Sequence, residues 1–206
     1  MTQNVQPAGS AATNYGIVAW IVYGVISGSG HWIAASLVAL IIALAIVAHE
    51  YKYHATKIMS CTTVAFFAFA LMITVAVGPA LFKYYNVFLT WGVFAIVTWV
   101  TLLIGFPFTI QYAREQTPRE IWDHPLFMRL NVILTVSFGL AFTINAGLGV
   151  IALRTGYLLS LGLLLPIFLL SAAIVFSARY PKHFTQRFAP AWAAAAQAST
   201  PERATE

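Results

Sequence analysis

Apolar residues run in long blocks along this chain, separated by short polar stretches. No Asp, Glu, Lys or Arg occurs in 1–49, 58–82, 84–113, 130–153 or 155–178. A helix that crosses a bilayer needs roughly 20 mainly apolar residues. Four of the blocks predict one span each, over 59–77, 86–106, 130–152 and 157–177. The N-terminal block predicts another over 32–48 and a shorter apolar piece over 15–28, divided by Ser27-Gly28-Ser29-Gly30. As helix the short piece rises only about 21 Å, against a hydrocarbon core of roughly 30 Å. It either extends back through Ala11-Ala12 to cross, or is re-entrant or interfacial. No basic region precedes it, so it does not read as a signal peptide. The expectation is an all-α, polytopic transmembrane bundle of six apolar segments over 15–178. A disordered tail is expected over 1–14 and a cytoplasmic C-terminal tail over 179–206, disordered from Ala189.

Composition agrees. The chain is 60% hydrophobic and 8% charged, where a soluble domain carries about 25% charged residues. The net charge of +5 reflects orientation, and no nucleic-acid partner is implied. Alternate connections hold Lys52, Lys57, Arg114, Arg119, Arg129, Arg179, Lys182, Arg187 and Arg203 on one side, and only Lys83 and Arg154 on the other. The rule that basic loops stay inside puts the first set, and the C-terminus, in the cytoplasm. The environment is membrane lipid. Cys61 is the only cysteine, which excludes an intramolecular disulfide, and it reads as a small packing residue.

Polar residues at helix ends carry the candidate chemistry. His49, Glu50 and His54 close the second span, and His124 precedes the fifth. His49 and His54 are five apart, so they miss the four-residue spacing of a zinc-binding helix. Glu50 and His54 are four apart and can pair across one turn. These four residues are weak metal candidates; a snorkelling polar cap is the favoured reading, with no metal or other cofactor. Trp20, Tyr23 and Trp32 flank the Ser/Gly break as boundary aromatics. Trp91 and Trp99 read as lipid-facing or inter-helix packing in preference to a ligand cage. Gly162 and Pro166 predict a kink in the last span.

The connector 111–125 reads as a salt-bridged interfacial loop. Thr117-Pro118-Arg119-Glu120 matches a capping box, Trp122 falls in the headgroup layer, and Asp123 or His124 caps the next helix ahead of Pro125. Beyond Arg129, Asn131, Thr135, Gly139, Thr143 and Gly147 recur at every fourth residue. Small residues at that spacing let helix backbones approach, and Asn or Thr can hydrogen-bond across the contact. The face serves an internal seam, favoured, or a homo-oligomer interface. Asn145 lies off it and should reach another helix.

From about Tyr23 to Ser177 the layout resembles the intracellular septation protein A family of YciB-like inner-membrane proteins. The resemblance rests on the short first segment before an Ala/Ile-rich span, the turn Tyr51–Met59, and Leu81-Phe82-Lys83-Tyr84-Tyr85. It is clearest in Pro107-Phe108-Thr109-Ile110-Gln111, continuing through Pro118, Trp122 and Arg129 to Asn131, Phe138 and Phe142. Gly30-His31 stand where the family tends to carry an acidic residue, and the spacing at the connector-to-helix junction differs. The resemblance implies an envelope or septation role in the bacterial inner membrane, exercised through copies of itself or other inner-membrane proteins. It implies no catalytic residues.

Two other readings compete. A small uncoupled transporter or lipid-handling protein would pass a neutral solute by Asn131, Thr135 and Thr143. Coupled transport normally needs intramembrane charges, and the blocks above place none at depth. A membrane enzyme would have to gather His49, Glu50, His54, Glu115, Glu120, Asp123 and His124 from two connections into one site.

Overall fold

The computed structural model describes residues 16–53, 56–117, 119–157 and 160–198. The described residues are helical throughout their regular structure. In chain order they form α1 (Gly16–Gly28), α2 (Trp32–Lys52), α3 (Ile58–Ala76), α4 (Pro79–Leu103), the short α5 (Thr109–Gln116), α6 (Pro125–Thr155) and α7 (Leu165–Ala198). Five of these helices are long and apolar enough to cross a membrane, and α1 is a shorter apolar helix. The fold is therefore an all-α bundle of a multi-pass membrane protein. The expected tail 1–14, His54, Pro118 and residues 199–206 lie outside the described residues.

Neighbours in sequence are neighbours in space. α1 packs on α2, α2 on α3, α3 on α4, α6 on α7, and the largest contact is between α4 and α6. The sequence encodes this with small residues inside and large ones outside. On α2, Ala35, Ser36, Ala39 and Ala43 are buried while Ile33, Leu37, Ile41 and Leu44 are exposed. Lipid is as apolar as Leu, so nothing drives large side chains inward, and small ones win the interface by letting backbones close up.

Glycines and prolines set the turns, at Gly30 where the Ser/Gly break predicts one and at two further places. Gly30 (φ 89°) ends the first turn, with Ser29 Oγ donating to the Ile26 carbonyl at 2.7 Å. Gly78 (φ 99°) precedes Pro79 at the start of α4, and Gly156 (φ 76°) closes α6. Where Gly162 and Pro166 predict a kink, a π turn spans Ser160–Leu164 and leads directly into α7.

Three expectations are corrected here. Tyr23 is a core residue of the bundle, and Trp20 packs half-buried against that core. Tyr23 is buried and donates through its hydroxyl to Asn86 Oδ1 on α4 (3.0 Å), and Trp20 packs on Phe66, Phe67 and Phe94. A short helix has few residues with which to hold its place, and α1 uses its aromatics for that. Cys61 is exposed on α3, because the buried stripe there runs through Ser60, Thr63, Phe67 and Ala70. The last helix does not stop near 178. It continues through Ala198, and Phe184 is buried against Leu130 and Leu134 of α6. An Ala-rich end has the helix propensity to extend it.

Candidate functional site

At one end of the bundle α2 finishes, α3 begins and α5 crosses from α4 to α6. The first residues of α3 leave backbone N–H groups without helical acceptors, and Lys57, standing at the cap position, makes no side-chain cap. Two other elements supply the acceptors. Glu50, in the last turn of α2, accepts the Lys57 N–H at Oε2 (3.1 Å), and Gln111 of α5 accepts the Ile58 N–H at Oε1 (2.9 Å). Glu50 Oε1 also accepts the Ser60 hydroxyl at 2.8 Å. A carboxylate at a helix N-terminus is further favoured by the helix dipole.

The same arrangement turns the Lys57 side chain inward. Its ammonium lies 3.0 Å from Glu115 Oε1 on α5, 4.0 Å from Glu50 Oε1, and over the Tyr112 ring at 5.0 Å. Glu50 and Lys57 are 7% and 3% exposed, so both charges are withdrawn from solvent and their pairing decides whether the site is tolerable. Burial, then the nearby Glu50 and Glu115 carboxylates, hold the Tyr112 phenol neutral well above the usual tyrosine range.

The cluster stands at the ends of α2 and α3, so the apolar blocks themselves still carry no ionised side chain at depth, but the charges at this end are buried and paired across elements. The acidic and basic partners come from three elements, α2, the start of α3 and α5, and neither is conspicuous within an apolar block. Glu50 is thus occupied by Lys57 and Ser60, and is not a bare polar cap. His49 is exposed and packs on Tyr53 (4.8 Å), and His124 caps α6, its Nδ1 accepting the Leu126 N–H at 3.1 Å. Of the residues weighed for a metal, His49, Glu50 and His124 do not converge, and His54 lies outside the described residues; among the described residues no three of His, Cys, Asp and Glu could hold an ion together.

The connector also differs from the loop expected. Glu115 pairs outside it, with Lys57. The Arg114 and Arg119 guanidinium groups lie over Trp122 at 5.0 and 5.6 Å, and the Trp122 indole N–H donates to the Thr117 carbonyl at 3.1 Å. Thr117 Oγ1 donates back to the Ala113 carbonyl (2.8 Å), so it finishes α5 and does not open a capping box. The Glu120 side chain lies outside the described part, and Arg129 is exposed.

The five-residue face of α6 divides. Asn131, Thr135 and Gly139 are buried. Thr109 Oγ1 of α5 donates to the Asn131 carbonyl and lies 2.9 Å from Thr135 Oγ1. A Cβ added at Gly139 would stand 3.1 Å from the Trp99 ring. Thr143 is exposed yet accepts the Trp99 indole N–H at 2.9 Å, while Gly147 is exposed with open space around it. A step of four residues advances about 400°, so each step drifts about 40° off the seam. The contact passes instead to Phe142, Asn145 and Gly149, all buried. A Cβ at Gly149 would stand 3.0 Å from the Phe88 backbone nitrogen of α4. Asn145 reaches α7, donating to the Pro166 carbonyl at 3.2 Å. Trp91 stacks on Phe142 across the same seam.

Beside the ion cluster lies a cavity of about 240 Å³, lined by Gly16, Ile17, Trp20, Met59, Ser60, Thr63, Phe94 and Tyr112. A groove of about 520 Å³ runs along α2 from Ile41 to Glu50, opposite Val18. Comparison with protein-family models, with curated proteins and with solved structures gives no match.

Proposed function

We propose that this chain is a non-enzymatic multi-pass protein of the bacterial cytoplasmic membrane, of the septation protein A type, with its C-terminus inside the cell. Its role is in envelope organisation or septation, through contact with copies of itself or with other inner-membrane proteins. The observation that carries the reading is the joint between α5 and the bundle. Thr109, Gln111 and Asn131, which bear the resemblance, make the contacts that fix α5 against α3 and α6. The joint holds Trp122, with the Arg114 and Arg119 guanidinium groups over its ring, at a set place on the basic face. A rigid aromatic and arginine surface is the composition that protein contacts favour. The test is a Trp122→Ala variant expressed from the native locus. Unchanged thermal stability with loss of the native membrane complex and a division or envelope defect supports the reading. Wild-type complexes and wild-type division would remove it.

The cavity beside Glu50 and Tyr112 favours a second reading, a small transporter. Flux of a small solute into reconstituted vesicles, abolished by filling the cavity with Thr63→Trp, supports it; vesicles as tight as protein-free ones count against it.

A further inference from the structure

We propose that the cavity between α1, α3, α4 and α5 binds a small organic cation with an ammonium head. The sign follows from what its walls can offer. The Ser60 hydroxyl has given its proton to Glu50, and the Thr63 hydroxyl has given its own to the Met59 carbonyl (2.9 Å). Both oxygens are left with lone pairs. The Trp20 indole N–H is already spent on Thr63 Oγ1 (3.3 Å). The remaining wall is aromatic, from Trp20 and Phe94, whose ring faces carry negative potential, and from Tyr112, one face of which already holds the Lys57 ammonium at 5.0 Å. Behind Ser60 and Tyr112 stand two carboxylates, Glu50 and Glu115, against one ammonium, Lys57. Glu115 Oε2 is buried without a hydrogen-bond partner, so the negative charge there is incompletely neutralised. An anion would meet lone pairs, ring faces and net negative charge. An ammonium would meet cation–π attraction and a favourable field.

Volume sets the size class. About 240 Å³ admits a head such as trimethylammonium with a short chain, and excludes a peptide. Gly16 and Ile17, at the start of α1, form one edge of it. The site asks for binding only, so it stands or falls apart from flux and from any partner protein.

The test uses the full chain in a choline-free detergent, with choline as probe and its uncharged carbon isostere, dimethylbutanol, as control at equal ionic strength. Choline should raise Tm and change tryptophan fluorescence saturably, and the alcohol should do neither. Phe94→Leu should weaken choline about tenfold, read on the folded fraction because Phe94 also packs on Trp20 and Phe142. A short-chain phosphatidylethanolamine arm separates sources: tighter binding than choline assigns a lipid headgroup, weaker binding a free solute. Equal responses to choline and the alcohol, or none to either, would overturn the proposal without any variant. So would a folded Phe94→Leu protein that binds choline as well as the wild type.

Discussion

Between α4 and α6 the helices are held by the absence of side chains. Gly139 admits the Trp99 ring and Gly149 admits the Phe88 backbone, and the hydrogen bonds across the seam are few. At the basic end the reverse holds. There α2, α3 and α5 meet through a carboxylate, an ammonium, an amide and a hydroxyl, each placed within about hydrogen-bond reach of another. The difference follows from the solvent. Within lipid, shape is what two helices can recognise in each other. Where chain ends leave backbone groups unpaired, polar side chains from elsewhere must satisfy them, and charges that do so have to be neutralised on the spot.

Removing Lys57 should give the largest effect. Lys57→Met leaves Glu50 buried beside Glu115 with no cation between them, and one-sided removal from a buried pair costs about 3–5 kcal/mol. Urea or thermal unfolding in micelles would read it. The seam comes next. Gly149→Ala forces a methyl against backbone that cannot turn aside, an overpacking that costs about 1–3 kcal/mol. Gly139→Ala should cost less, since an indole ring can shift. Gly147→Ala should stay within about 0.5 kcal/mol, although a strict four-residue reading would make it equal to Gly139→Ala.

Thr109→Val removes the bonds to Asn131 and Thr135 at nearly constant volume and should cost about 1 kcal/mol. The smallest effect is a pH dependence. The unfolded chain ionises Tyr112 near pH ~10, whereas the folded protein keeps that proton because of burial and the two carboxylates. Stability from this source is whole below that pH and is lost as pH rises above it. Tyr112→Phe should flatten the alkaline decline relative to wild type.

The number and placement of the long helices were legible because lack of charge over a bilayer's thickness is a local property of sequence. Gly30 was legible as a turn because the Ser/Gly break around it is local too. The seam was legible only in part. Asn131, Thr135 and Gly139 stand on it, but the helical period carries Gly147 off and brings Gly149 on, a residue concealed by the regularity of the others. On α2 the stripe Ala35, Ala39, Ala43 was the available signal for a packing face. The ion cluster was not legible. Glu50 and Lys57 lie in one connection and Glu115 in another, 58 residues beyond Lys57, and local spacing favoured His54 as the partner of Glu50. Only the placement of α5 under the α2–α3 turn brings the charges together.

The most direct test of this account is a double-mutant cycle on Lys57→Met and Glu115→Gln, read as unfolding free energy in the same micelles. The account predicts that Glu115→Gln costs much less when Lys57 is already gone, with a coupling of about 1 kcal/mol or more. Costs that add to within about 0.3 kcal/mol would mean that the two charges do not hold α5 to the bundle.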